Sequence, residues 1–122
     1  MTLNNNILTE ITTSTKTTFS TNMTYVDFGT GTTTPLPTDT VMETSVVRNA
    51  RQDISTLSNS VIISGFLGTG QANGSAITEI GAFDAAAAGN MQDHALMTAV
   101  TKTAGKELWV DIRNNINITQ GE

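Results

Sequence analysis

Apolar and polar residues alternate most regularly over residues 77–83, where the chain reads ITEIGAF. In an extended strand the odd-numbered side chains of this segment share one face and the even-numbered ones share the other: Ile77, Glu79, Gly81 and Phe83 against Thr78, Ile80 and Ala82. Both faces carry apolar groups, so this segment is predicted to be a central strand of a sheet. Glu79 is the exception, and it must reach water or a partner at the rim.

Other segments also have strand-like composition and are separated by turn signals. They are residues 23–29, 45–48, 59–67, 95–101 and 106–118. In the last of them Leu108, Val110 and Ile112 fall on one side and Trp109, Asp111 and Arg113 on the other. A short helix from Val41 is the alternative for the second segment. Roughly six to eight short strands are typical of an antiparallel sandwich or barrel. We expect an all-β fold, an antiparallel β-sandwich of jelly-roll or immunoglobulin-like type, over residues 23–122.

The N-terminal segment, residues 1–22, differs from the rest because it is polar and rich in threonine. Its first apolar residues have helical spacing, which allows one or two turns of helix, but the threonine run after Ile11 disfavours a longer helix. The segment is either a frayed tail or an extended arm that packs onto another subunit. We favour the arm, with Ile7, Leu8, Ile11 and Phe19 as contact residues, because these side chains would be wasted in solvent.

Residues 29–40 read GTGTTTPLPTDT and are predicted to form an extended loop. Its prolines cannot donate backbone hydrogen bonds, and its glycines are interpreted as positions that permit positive φ. A Gly-x-Gly pattern also occurs in phosphate-binding loops. Here no helix pattern follows it and no lysine closes a P-loop, so phosphate binding is disfavoured.

Charge and composition narrow the possible functions. The net charge is −5, and 14% of residues are charged against a usual share of about 25%. The few lysines and arginines form no basic stripe, so nucleic-acid binding is not expected. Threonine and asparagine replace the missing charges, and such a surface fits strands and subunit contacts better than a freely diffusing enzyme.

Cysteine is absent, which excludes disulfides, thiolate zinc sites and cysteine nucleophiles. The N-terminus lacks a basic start followed by an apolar run, and no segment approaches the roughly 20 apolar residues of a membrane span. We therefore expect no membrane association and assembly in a cytoplasm.

His94 is the only histidine and directly follows Asp93. Neighbouring residues of a strand point to opposite faces, so these two cannot form an acid-base pair, and His94 is expected at the surface or in an interface. The carboxylates are dispersed, without a calcium-loop alternation or a catalytic pair. No catalytic residue, cofactor or metal ligand is predicted, although a calcium ion at a subunit junction stays open.

Two aromatic residues are candidates for contacts. Trp109 points away from the apolar side of its strand, so either both faces of the sheet are covered or Trp109 contacts a neighbouring subunit, where tryptophan is enriched. We favour the contact. Tyr25 and Trp109 would be the stacking residues if the chain bound carbohydrate.

Three segments together resemble a domain common in structural proteins of tailed bacteriophages. They are residues 23–39 (MTYVDFGTGTTTPLPTD), residues 77–84 (ITEIGAFD) with the Ala-Gly-Asn-Met that follows, and residues 98–110 (TAVTKTAGKELWV). Arg48 takes the place of a basic residue before a strand, and Asn73-Gly74 that of an Asn-Gly turn. The resemblance extends over residues 23–112 and departs at Ala82, where a larger apolar residue is usual.

The resemblance implies a virion component without enzymatic activity. As a short chain without repeats, receptor-binding extension or coiled-coil heptads, it is similar to a capsid decoration protein. Such a protein would bind the major capsid protein as a homotrimer and clamp adjacent shell subunits against internal DNA pressure. A module of a tail fibre, baseplate or collar is the alternative within this class, and a carbohydrate-binding adhesion module is the alternative outside it.

Overall fold

The computed structural model describes residues 5–57 and 59–115, which form one helix and seven strands. In chain order these elements are α1 Asn5–Asn22, β1 Tyr25–Gly29, β2 Ser45–Ala50, β3 Asp53–Leu57, β4 Ser60–Leu67, β5 Ala76–Phe83, β6 Met91–Thr101 and β7 Leu108–Asn115. Every strand pairing among them is antiparallel.

The strands form two sheets that pack against each other. The four-stranded sheet has the order β2-β1-β5-β6 and the three-stranded sheet has the order β3-β4-β7. The predicted all-β antiparallel sandwich is therefore confirmed, and so is the central position of β5, which lies between β1 and β6. The division into four and three strands is that of an immunoglobulin constant-type domain, but the order of strands within the sheets differs.

The core between the sheets is built from aliphatic side chains and one phenylalanine. Its buried members are Met23, Val26, Phe28, Ile63, Leu67, Ile77, Ile80, Ala82 and Ile112. Ile77 shares this core with Ile80 because the pairing of β5 with β6 shifts register between Ile77 and Glu79. The predicted alternation is therefore wrong at Ile77, whereas Glu79 and Phe83 do face away from the core.

The chain changes sheets at Arg51 and Gln52, between β2 and β3. The amide of Arg51 donates to Thr24 O at 2.9 Å, beside the four-stranded sheet, and that of Gln52 donates to Ser64 O at 2.8 Å, in the three-stranded sheet. The strand predicted at residues 45–48 is confirmed, and the alternative helix from Val41 does not form. β3 was not predicted, because its sequence DISTL is short and largely polar.

The helix α1 runs through the threonine segment, so the expectation of one or two turns is wrong. Threonine hydroxyls in this helix donate to the carbonyl four residues earlier, as Thr15 does to Ile11 O at 2.9 Å. Thr12 is buried, Phe19 packs against the core, and the helix lies beside β3 and β4. Tertiary packing therefore outweighs the low helix propensity of threonine.

Arg51 fastens the end of α1 to the sandwich. Its Nη1 donates to Ser20 O at 2.7 Å and to Met23 O at 3.0 Å. A cation at a helix C-terminus also interacts favourably with the helix dipole. Among the described residues, no helix is long and apolar enough to cross a membrane.

The predicted alternation of β7 is confirmed. Leu108, Val110 and Ile112 are half-buried or buried, whereas Trp109 and the other outward side chains are exposed. Trp109, which the sequence predicts to be a contact residue, therefore lies on the outward side of the three-stranded sheet.

Candidate functional site

Two loops cover the side of the four-stranded sheet that faces away from the core. Residues 30–44 join β1 to β2, and residues 84–90 join β5 to β6. We call this side the covered face. Its outward side chains include Asp27, Arg48, Glu79, Phe83 and His94. Both sides of β5 are thus packed, one by the other sheet and one by loops.

Glu79 lies at the centre of the covered face and is 1% exposed. Its Oε2 accepts hydrogen bonds from the amides of Gly31 at 3.0 Å and Thr44 at 3.1 Å. Its Oε1 accepts a hydrogen bond from the amide of Glu43. One carboxylate therefore holds amides from both ends of the loop 30–44. The sequence correctly required a partner for Glu79, but its position at a rim was wrong.

Gly29 and Gly31 allow the loop to approach this carboxylate. A Cβ at Gly31 would lie 2.4 Å from Glu79 Oε2, and one at Gly29 would lie 2.4 Å from Thr44 O. Neither glycine has a positive φ. The interpretation of the Gly-x-Gly pattern as positions of positive φ is therefore wrong, because these positions need glycine for space.

Gly31→Ala is expected to lower the free energy of unfolding by about 1–3 kcal/mol, since the new methyl group must displace Glu79 or the loop. Urea unfolding followed by circular dichroism measures this loss. Gly70→Ala is the matched control, because nothing lies within 4 Å of a Cβ at Gly70. It should be neutral or stabilise by up to about 1 kcal/mol. Equal effects of the two substitutions would contradict the steric argument.

His94 bridges Glu79 to the loop 30–44. Its Nε2 lies 2.8 Å from Glu79 Oε1 and its Nδ1 lies 3.0 Å from Asp39 Oδ2. The side chain is 8% exposed, so the expectation of a surface or interface histidine is wrong within this chain. Each ring nitrogen of His94 thus faces one carboxylate oxygen, so the ring joins β5 and β6 to the loop 30–44.

Hydrogen bonds keep the carboxyl groups of this cluster in the ionised form. Burial acts to raise the pKa of Glu79, but the loop amides, with that of Glu43 first, and His94 outweigh it and hold the pKa below its usual value. The pKa of Asp39 is lowered mainly by the amide of Leu36, which donates to it at 2.8 Å, and then by His94.

Acid is therefore expected to destabilise the fold. A carboxyl group whose pKa is lowered by folding stabilises the native state above its unfolded pKa, about 4.3 for glutamate, and loses that contribution as pH falls through the folded pKa. The urea midpoint should decrease as the pH falls below about 4.3. Glu79→Gln should decrease less, with the remainder due to Asp39, Glu43 and Asp84, whose pKa values are also lowered. An unchanged pH dependence in this variant would contradict the role of Glu79.

A second ion pair, on β1 and β2, fastens the loop 84–90. Arg48 Nε donates to Asp27 Oδ2 at 2.9 Å, and its Nη1 donates to the carbonyls of Ala85 and Ala88 at 3.0 and 2.8 Å. The guanidinium lies 3.6 Å above the centre of the Phe83 ring. Arg48 therefore ties the sheet, an aromatic side chain and the loop together.

The polar groups of the covered face bind the protein's own backbone. A groove of about 330 Å³ borders His94, between the proline segment of the loop 30–44 and the start of β6. Both ring nitrogens of His94 are nevertheless occupied by carboxylates. Within residues 5–57 and 59–115 no group of three or more His, Cys, Asp or Glu side chains is arranged to hold a metal ion. The arrangement therefore fixes the positions of the loops 30–44 and 84–90.

The residues predicted as contacts do not come together at one place in the structure. The side chains of Ile7 and Leu8 lie outside the described part of the structure. Ile11 and Phe19 are half-buried and line a shallow groove of about 420 Å³ on α1. Tyr25 is half-buried on β1, opposite Phe83 of the covered face, and Trp109 is exposed on β7 in the other sheet.

Sequence reasoning missed the cluster of Glu79, His94 and Asp39. Asp39 and His94 are separated by 55 positions, so no local spacing connects them. The available signal was a glutamate in an otherwise apolar strand, together with the two closely spaced glycines of the loop. Such a glutamate needs several buried donors, and loop amides are the nearest supply.

Comparison of the chain with protein-family models, with curated proteins and with solved structures finds no significant match.

Proposed function

We propose that this chain is a non-enzymatic structural protein of a tailed-bacteriophage virion. Within that class we propose a capsid decoration protein that binds the shell of major capsid protein as a homotrimer. Its role would be mechanical, with adjacent shell subunits clamped through buried surface.

The observation that carries the proposal is the convergence of the segments that resemble the phage domain. The first contains β1 and the Gly-x-Gly loop, the second is β5 with Glu79, and they pair in the four-stranded sheet. Arg48 binds the first segment through Asp27 and lies over Phe83 of the second. Lys102, in the third, donates to Asn73 Oδ1 at 2.9 Å. Residues that resemble a family pattern thus contact one another in the four-stranded sheet and its loops, which supports a shared fold over a chance match.

The use of these polar residues supports a structural role. Glu79, Asp27, Arg48 and His94 each bind another part of the same chain, and their contacts fix loops rather than expose a reactive group. Only 14% of the residues are charged, and a surface with few charges fits extended contacts between subunits.

Two apolar surfaces are available for contact with the shell. Leu36 and Val41, in the loop 30–44, are 59% and 68% exposed. On α1, Ile11 and Phe19 line the shallow groove, although Phe19 also packs against the core and is therefore not wasted in solvent. We assign the arm contact to the groove on α1.

A module of a tail fibre, baseplate or collar is the second candidate, because the same resemblance supports it. The carbohydrate-binding alternative built on Tyr25 with Trp109 is weaker, since these residues lie in different sheets and do not form one platform.

Light scattering on the purified protein, followed by co-sedimentation with undecorated shells of the phage that encodes it, tests the proposal. A mass of three chains and saturable shell binding are expected. Ile11→Asp should reduce shell binding, whereas Thr13→Asp, at an exposed position on the same helix, should not. A monomer that does not bind shells would overturn the decoration role and leave the tail module.

A further inference from the structure

The outward side of the three-stranded sheet is open, in contrast to the covered face. On its two outer strands every outward side chain is exposed: Asp53, Ser55 and Leu57 on β3, and Trp109, Asp111, Arg113 and Asn115 on β7. The central strand contributes Ile62, Ser64 and Phe66, which are half-buried. We call this side the open face.

Trp109 is held in a fixed orientation on the open face while much of its ring remains accessible. It is 58% exposed, and its ring centre lies 4.5 Å from that of Phe66 on the neighbouring strand, at an interplanar angle of 47°. Its Nε1 donates to Glu107 Oε2 at 3.2 Å. The indole is therefore supported at one side and at its polar edge, and it offers an aromatic surface to a ligand.

Polar side chains continue the open face beside this aromatic pair. Asp111 follows Trp109 on the same side of β7, at a Cα separation of about 6.6–7 Å. Ser64 Oγ donates to Asp111 Oδ1 at 2.7 Å and fixes that carboxylate. Among the described residues Asp111 Oδ2 accepts no hydrogen bond, and Arg113, the next outward side chain, has neither a hydrogen bond nor an ion pair.

We propose that the open face is a carbohydrate-binding site. One sugar ring stacks on Trp109, and its hydroxyl groups donate to Asp111 and accept from Arg113. Stacking uses the C–H face of a sugar, while charged acceptors and donors at the edge of the ring form the stronger class of hydrogen bond. The spacing from Trp109 to Asp111 places the indole and the carboxylate within reach of a single ring, and the long side chain of Arg113 starts one outward position further along β7.

A sugar suits this surface better than an apolar protein patch. Burying Asp111 and Arg113 against apolar side chains would leave two charges without partners, which is costly. A pyranose supplies both an apolar face and several hydroxyl groups. The site differs from a platform of Tyr25 with Trp109, because its second aromatic residue is Phe66, and it does not depend on the decoration role.

Trp109 is the only tryptophan, so its fluorescence reports directly on the site. The purified protein is titrated with cellohexaose, mannohexaose and chitohexaose as neutral probes and with a hyaluronan hexasaccharide as an acidic one. A saturable shift of the emission to shorter wavelength is expected with at least one neutral probe. Binding of the acidic probe alone would overturn the neutral-sugar arrangement with Asp111 as acceptor. The absence of any saturable change would overturn the site.

Calorimetry with the oligosaccharide that binds then tests which residues form the site. Trp109→Ala should abolish binding, and Asp111→Asn should weaken it by about tenfold, the loss of roughly one charged hydrogen bond. Leu36→Ala, at an exposed apolar residue of the loop 30–44, is the control and should bind as the wild type. Circular dichroism verifies folding of each variant. Wild-type affinity in Trp109→Ala would overturn the proposal. An emission shift produced only by capsid shells would also overturn it, because the open face would then be a shell contact.

Discussion

Replacing Glu79 with alanine is expected to lower the free energy of unfolding by about 3–5 kcal/mol, the range for removing one partner of a buried charged cluster. The substitution leaves the amides of Gly31, Glu43 and Thr44 without their acceptor and removes a carboxylate from His94. Urea unfolding gives the free energy. Hydrogen exchange of the three amides gives the location, because their protection should be lost before that of the strands.

Glu10→Ala serves as the control, since Glu10 is exposed on α1 and alanine suits a helix. Its unfolding should match that of the wild type. Glu79→Gln should fall between the two, because an amide oxygen still accepts from part of the loop while the charge is lost. A cost below about 1 kcal/mol for Glu79→Ala would mean that the loop amides find other acceptors, and the role assigned to Glu79 would then be wrong.

Phe83→Ala is expected to cost about 3–5 kcal/mol, as large-to-small substitutions of buried aromatic residues do. Phe83 is 1% exposed, and it lies under the guanidinium of Arg48 and next to Gly81 on the covered face. The substitution leaves a cavity beneath the loop 84–90, and Arg48 loses the ring that it covers. Thermal and urea unfolding should both show the loss.

Trp109→Ala provides the comparison for Phe83. It removes a larger aromatic side chain, but from the open face, where the main loss is the contact with Phe66. Its cost should be under about 1.5 kcal/mol. If Phe83→Ala cost no more than Trp109→Ala, the assignment of Phe83 to a packed surface would be wrong.

The strands with clear apolar patterning could be predicted from the sequence. β5 reads as central because both its sides carry apolar residues, and β7 reads as one-sided because Leu108, Val110 and Ile112 alternate with polar residues. The register shift between Ile77 and Glu79 could not be predicted, because a bulge depends on the partner strand. The helix through the threonine run was missed because its stability depends on packing against β3 and β4.

The cluster of Glu79, His94 and Asp39 was harder to predict because it is assembled from distant parts of the chain. Glu79 stands out in the sequence as a glutamate in an otherwise apolar strand, but its partners are backbone amides, which residue identity does not reveal. Sequence proximity points from His94 to Asp93, whereas the ring of His94 meets Asp39 from a loop 55 positions away. The open face was easier to predict, because strand alternation alone places Trp109 on the outward side of β7.

The attachment of both ends of the loop 30–44 to Glu79 has a consequence for how such a chain can diverge. Because the base of the loop is closed by its own hydrogen bonds, the residues between Gly31 and Asp39 can vary with little effect on the sandwich, and each doubling of their number adds only about 0.6 kcal/mol of closure entropy. Variants of this chain in which the tip is replaced are therefore expected to fold if Gly29, Gly31 and Glu79 are kept. The same segment is a natural place to graft a foreign peptide for display.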